Sequence, residues 1–524
     1  MKRIRLILIL VLTLVLAAAL CVFSVPAAAA EGADPGAGAP EGEAPLSRLL
    51  AIPLSMPQGS DYMKKEWGVI AFRGGAFRQN AACGTVPEGT CRMKILWDVP
   101  VPLGEEEPAQ LFPWPSQPVI LKWSVQVRGR IRFDPPYEPR TAMKEVVLAA
   151  KDGTVYFLDL ATGERTRWPL RTGYALSGSF SAHPGGMPYL CIGQEEGNSP
   201  AVLRQFNLYD LSEMSPVNAG ETAGGSAGAS DPLIDRTSDL VIAAGKDGCL
   251  YKTQLRPSFD YHDGTLKMKP ETWAVDNGTG YTAPVSALDR FLYCADSAGT
   301  VRCVDSETMR TKWNRYLEGT VVSAMALNSR SDRVSLYAAE TLRSRGSGTA
   351  CVYCLNALNG SVFWQREFEV ETGAETEGGA DPNPAGFAAS PVAGRDALDG
   401  LVYYTVTGLT PAQREALGLR AGEQSALLAL SKDTGETAWA YGMEASCLSS
   451  PVAVYDEQGQ GRILQCSGDG TLAMLDGLDG TVLSTLRLDG RVDSSPAAYR
   501  DVLVVASTGE ERAHIYGIYL YPEE

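Results

Sequence analysis

Leu448-Ser449-Ser450-Pro451-Val452-Ala453-Val454, followed by Asp493-Ser494-Ser495-Pro496-Ala497-Ala498-Tyr499, are the two stretches that decide the fold. Each is a short apolar segment entered through Ser-Pro, and the same segment returns on reading back along the chain. Ala388-Ala389-Ser390-Pro391-Val392-Ala393, Tyr281-Thr282-Ala283-Pro284-Val285-Ser286 and Ser230-Asp231-Pro232-Leu233-Ile234-Asp235 are clear copies. Val321-Val322-Ser323-Ala324-Met325, Ser177-Gly178-Ser179-Phe180-Ser181 and Arg130-Ile131-Arg132-Phe133-Asp134-Pro135 are weaker ones. After most copies comes a β-hairpin, clearest in Val147-Leu148-Ala149-Ala150-Lys151-Asp152-Gly153-Thr154-Val155-Tyr156-Phe157-Leu158 and turning again at Asp247-Gly248, Ala298-Gly299 and Asp469-Gly470. Asp-Gly between apolar runs predicts a tight two-residue hairpin turn. A second turn then leads into a strand carrying tryptophan: Thr162-Gly163 before Trp168, Asn359-Gly360 before Trp364, and Thr434-Gly435 before Trp439, with Met309 in the glycine place before Trp313.

Each unit therefore supplies four strands in about 50 residues, the size of a propeller blade. The Ser/Pro strands number eight. The expected fold is all-β, an eight-bladed β-propeller of four-stranded antiparallel blades. The last unit lacks its fourth strand, and Val119-Ile120-Leu121-Lys122-Trp123-Ser124-Val125 has the tryptophan and the place of a spare one. Its pairing with the C-terminal strand around Tyr516 is expected to close the ring, because an open blade would leave strand edges unpaired. Thr410-Pro411-Ala412-Gln413 reads as a helix start with a capping box and proline at the first helical position.

The Ser-Ser-Pro-Val-Ala strand, the Asp-Gly hairpin and the Thr-Gly turn before tryptophan together resemble the PQQ-repeat (quinoprotein-like, BamB-like) β-propeller family. The resemblance runs over 119–524. It implies the propeller fold far more than it implies binding of PQQ. Upstream, the segment from Ala71 through Phe72-Arg73-Gly74-Gly75-Ala76-Phe77-Arg78 to Gly84, then Met93-Lys94-Ile95-Leu96-Trp97, is similar to the lead-in of exported, Gram-positive-type members. Arg73 and Arg78 have two readings, packing of the segment against the propeller or bidentate capture of carboxylates.

Lys2, Arg3 and Arg5 precede an apolar run ending near Val25 and then Ala27-Ala28-Ala29-Ala30, which reads as a signal peptide or an N-terminal anchor over 1–30. A flexible Ala/Gly/Pro/Glu linker is expected over 31–60, a lead-in packed on the propeller over 61–118, and the propeller over 119–524. Export permits disulfides. Cys83 and Cys91 flank a Gly- and Pro-containing loop and are one candidate pair. Cys294 and Cys303 are another, facing each other if Ala298-Gly299 is a two-residue turn; the alternative is two buried thiols.

A net charge of -16 argues against a nucleic-acid partner. The histidines are His183, His262 and His514 alone, and each stands among apolar or turn residues. Asp134, Asp231 and Asp235 lie near inner strands, where aspartates cap turns more often than they bind cations. In the quinoprotein dehydrogenases of the family, PQQ sits in the central channel under a disulfide of adjacent cysteines, with calcium beside it. No two cysteines are adjacent here. The reading that results is an exported, non-catalytic scaffold without cofactor or metal, extracellular or at the cell surface, binding protein, peptide or a cell-wall component. The alternatives are a PQQ- and calcium-dependent dehydrogenase and the ectodomain of a membrane-anchored sensor. Long polar loops at 213–228, 340–348 and 371–386 are expected to be solvated and mobile.

Overall fold

The computed structural model describes residues 68–102, 116–140, 142–195, 201–218, 229–260, 262, 265–330, 332–373 and 384–523. The signal segment, the linker and the polar stretches 219–228 and 374–383 lie outside them. Among the described residues the repeat makes eight antiparallel blades. Blade 1 begins at the axis with Gly68–Val69 and Val119–Lys122 and ends with Leu170–Arg171. Blades 2 to 7 start at Leu176–Ala182, Ala229–Ile234, Ser286–Leu288, Ala326–Ser329, Val392–Ala393 and Val452–Tyr455. Blade 8 runs Ala82–Cys83, Ala497–Tyr499, Val502–Thr508, Arg512–Pro522 and Thr90–Pro102.

The ring is closed by an N-terminal strand, but a different one from that expected. Thr90–Pro102 pairs antiparallel with Arg512–Pro522, with Asp98 opposite Tyr516. Val119–Lys122 pairs instead with Lys144–Ala149 as an inner strand of blade 1. Its first three residues are almost wholly buried, and on its axial side it pairs with Gly68–Val69, which suits it to the hub. The Arg130 to Pro135 segment is correspondingly no strand: it follows a short helix, Val125–Arg128, capped by Ser124. Eight blades remain the right number because Val119–Lys122 takes its place.

The tryptophans show how one blade grips the next. Trp313, Trp364 and Trp439 each lay the indole on the turn glycine of the following blade, Gly360, Gly435 and Gly480, and donate Nε1 to the carbonyl three residues before it. Those carbonyls belong to Ala357, Lys432 and Gly477, at 2.9, 2.8 and 3.2 Å. Trp97 performs the same docking across the closure, against Gly163 and with Nε1 on Leu160 O at 2.9 Å. A Cβ on Gly163 would lie 2.7 Å from the indole, and one on Gly517, on the other side, 2.1 Å. Trp168, which follows the Thr162-Gly163 turn as the other tryptophans follow theirs, is 61% exposed. Arg167 takes over, donating to Leu208 O across the blade 1–2 boundary while paired with buried Glu145. Lys252 does so between blades 3 and 4, on Ser306 O at 2.8 Å.

The Asp-Gly turns differ from the two-residue form in one respect. Gly153, Gly248, Gly299 and Gly470 have positive φ, whereas Asp152, Asp247 and Asp469 do not. The turn is a four-residue one ending in a left-handed glycine, as Gly153 N→Ala150 O and Ala150 N→Thr154 O show. The extra residue shifts the register by one. Cys294 therefore faces Arg302, and Cys303 faces Tyr293. The two thiols point to opposite faces of blade 4, one packed toward blade 3 and one toward blade 5, so the cross-strand bridge is replaced by two buried thiols.

The loop at 340–346 is held rather than mobile. Glu340 is fully buried and accepts from Gly319 N and Cys351 N, while Arg343 donates to the carbonyls of Ala298, Leu317 and Gly319. The predicted helix start is present as Pro411–Ala416, with Thr410 Oγ1 accepting from Gln413 N at 3.2 Å.

Candidate functional site: the axis and a groove over blades 1 to 3

At the hub, the residue before proline turns out to be a blade-to-blade clip. Ser450 N donates to Ser495 Oγ, Ser390 N to Ser450 Oγ, and Ala324 N to Ser390 Oγ, linking blades 5 to 8 in series. Gln117 N→Ser179 Oγ and Ser179 N→Asp231 Oδ1 continue the series through blades 1 to 3. Ala283 and Ala324, which have no side-chain acceptor, stand at the equivalent places in blades 4 and 5.

The axis itself is filled by residues 68–83, which pass the blades in order. Gly68 and Val69 pair with blade 1. Ile70 O accepts Ala182 N of blade 2, Ala76 O accepts Ala287 N of blade 4, Phe77 O accepts Leu327 N of blade 5, and Gln79 O accepts Ala393 N of blade 6. The Asn80 carboxamide both donates to Ala453 O and accepts Ala453 N in blade 7. Ala82 and Cys83 pair in parallel with blade 8. Arg73 and Arg78, both with positive φ, are buried in this loop. Arg73 donates to Pro391 O and Pro451 O at 2.9 and 2.8 Å, and Arg78 to Val285 O and Asp231 O at 2.9 and 2.5 Å. Their packing reading is thus the observed one, with carbonyls of blades 6 and 7 and of blades 3 and 4 in place of carboxylates. Burial pushes the Arg73 guanidinium down to about 9.

The single residues weighed for chemistry have structural partners. His183 is buried, its Nδ1 accepts Gly185 N at 3.0 Å, and its Nε2 lies 3.0 Å from Asp239. His514 stacks on Tyr516 with Nδ1 2.8 Å from Asp98 on the closing strand. Asp235 accepts Thr237 N and Ser238 N, Asp231 the Ser179 amide, and Asp134 Trp168 N, which are capping and clipping roles. Among the described residues no three His, Cys, Asp or Glu converge on a metal position.

The open concave surface lies away from the axis. Two insertions rise beyond the four-strand plan: 123–143 in blade 1 and the hairpin Ser258–Phe259 with Leu266–Lys267 in blade 3. They meet blade 2 at Tyr209, whose ring stacks on Phe259 at 5.3 Å and whose carbonyl accepts Arg132 N. Two cavities adjoin there, of 260 and 400 Å³, sharing Arg130 and Tyr209 in their walls. Trp123, Val127, Met187 and Phe259 supply apolar wall to the first; Arg132, Lys267 and Asp210 line the second. Sequence reading did not find this groove. The signal for it was the run Arg128, Arg130, Arg132 in a chain of net charge -16, within a stretch that was taken for a strand.

Residues 423–518, from the third strand of blade 6 to the C-terminal strand of blade 8, match the family model described as outer membrane protein assembly factor BamB. The matched stretch lies in the last three blades of the β-propeller and holds two of the Ser-Pro copies and the Gly480 docking turn. The chain is similar in fold to the quinohemoprotein alcohol dehydrogenase of Comamonas testosteroni, with 12% identity, a TM-score of 0.56, and 91% of this chain and 83% of that chain covered. It is more distantly similar to BamB from Moraxella catarrhalis, at 15% identity and TM-score 0.43 over 76% of this chain and 97% of that one. A europium-containing methanol dehydrogenase gives 11% identity and TM-score 0.45 over 88% and 100%. No curated protein matches the chain.

Proposed function

We propose that this PQQ-repeat propeller is an exported, non-catalytic scaffold that holds protein or peptide partners on its insertions, at the cell surface or outside the cell. One observation carries the reading: residues 68–83 fill the axis and spend their polar groups on all sides against the blades. An axial ligand would have to displace Arg73 and Arg78 together with the hydrogen bonds that join the blades. What is open to a partner is a preformed groove on inserted segments carried by a rigid ring, an arrangement suited to recognition. The N-terminal residues 1–30 direct export. The expected Cys83–Cys91 bridge is not formed, because Ala82–Cys83 and Thr90–Pro102 are the two opposite edge strands of blade 8, too far apart for a disulfide. For the function, purified protein is mixed with PQQ, calcium and primary alcohols, and separately used to isolate stoichiometric complexes from cell-envelope extract. The scaffold reading expects complexes and no quinone-dependent dye reduction; saturable dye reduction overturns it.

A further inference from the structure

We propose that the groove over blades 1 to 3 binds an acidic peptide segment that also carries apolar side chains, a specificity that rests on the scaffold reading above. The first ground is construction. The two insertions that form the walls come from different blades and are tied to each other and to blade 2 by the Arg132 N→Tyr209 O bond, by Arg130 Nη1 on His262 O at 3.4 Å, and by the Tyr209–Phe259 stack. The walls are therefore set before any partner arrives, which lowers the ordering cost of binding.

The second ground is charge. Among the described lining residues, Arg130, Arg132 and Lys267 stand against the one carboxylate of Asp210. Asp210 turns its Oδ1 back to the amide and hydroxyl of Ser212. Three cations around one groove, in a chain of net charge -16, favour an anionic partner there. A partner drawn there must bring its own carboxylates. The third ground is the apolar floor. Trp123, Val127, Met187 and Phe259 give the 260 Å³ cavity a mostly nonpolar lining, large enough for a leucine or phenylalanine side chain and too small for a whole folded surface. Nucleic acid would satisfy the cations but not the -16 of the surrounding molecule.

The test uses the full chain and a fluorescein-labelled peptide alternating glutamate with leucine and phenylalanine, followed by anisotropy. Saturable binding is expected, weakened about tenfold or more between about 20 and about 200 mM salt. The same peptide with lysine for glutamate should not bind, and one with serine for the apolar residues should bind at least about tenfold more weakly. Arg130→Glu/Arg132→Glu, and independently Lys267→Glu on the opposite wall, should each cost about tenfold or more in affinity while leaving the thermal unfolding midpoint in place. Undiminished binding by both variants overturns the proposal. So does binding of the lysine peptide, or charge-dependent sedimentation with phosphatidylglycerol vesicles in place of peptide binding. If envelope complexes persist unchanged in both variants, the groove assignment falls and the scaffold reading stands. Quinone-dependent dye reduction is what removes the scaffold reading.

Discussion

Trp97 sits between Gly163 of blade 1 and Gly517 of its own blade, at the place where the ring closes on itself. Its indole is buried to 8% exposure and its Nε1 is satisfied by Leu160 O. Trp97→Ala should therefore cost about 3–5 kcal/mol, the usual loss for removing a buried tryptophan. Trp168→Ala should stay within about 0.5 kcal/mol because that ring lies mostly in solvent. Chemical denaturation of the two variants side by side gives the comparison, and equal losses would contradict the docking scheme. The sequence already carried the Thr-Gly turns and the tryptophans. It did not show that a glycine lies under the indoles of Trp313, Trp364 and Trp439 because the ring is in contact with backbone, nor that Arg167 makes the blade 1–2 contact and that Lys252, opposite Trp273, takes the Ser306 carbonyl.

At the scale of elements, the axial segment is what the inner strands lean on. Ala182, Ala287, Leu327, Ala393 and Ala498 donate their amides to carbonyls between Ile70 and Ala81. These amides should exchange with solvent only through opening of the whole ring, and hydrogen exchange read by mass spectrometry should place their peptides among the slowest. Replacing Arg73 and Arg78 together by alanine should raise exchange of Ala287 and Ala393, in blades 4 and 6, before that of Ala182 in blade 2, because blades 4 and 6 lose guanidinium donors. Uniform exchange across the blades would deny the segment this role. Strand number and order were legible because each repeat states its own hairpin. The identity of the closing strand was not, since Val119–Lys122 and Thr90–Pro102 are both apolar and tryptophan-bearing or adjacent to tryptophan. Only the pairing decides between them. The groove was hidden for a related reason: its walls come from segments whose meeting is a property of the ring and not of either sequence.

For the molecule as a whole, the buried thiols set the response to alkali. Burial pushes Cys249 up to about 11 and Cys294, Cys303, Cys351 and Cys466 up to about 12, and raises Cys191, Cys354 and Cys447 as well. In the unfolded chain the same thiols lose their protons near the model-compound value of 9.0. The folded state then holds more protons than the unfolded one, so stability falls as pH rises from about 9 toward 12. Lys252 and Lys432, lowered to about 8 by burial, and Arg73, lowered to about 9, act in the opposite direction as pH rises, but three groups oppose eight. The melting temperature under reducing conditions should decline steadily above pH about 9. A midpoint that rises there would refute the account.

The closing strand and the axial segment precede by about four hundred positions the strands they complete in blade 8. During synthesis the clasp and the spindle are therefore made long before anything exists to fasten them to. Contacts such as Asp98 with Tyr516 must wait until blade 8 has been made. Such a molecule has no stable half-built version: maturation becomes a single late event, and a prematurely terminated copy is left with its edges open to proteases and to its neighbours.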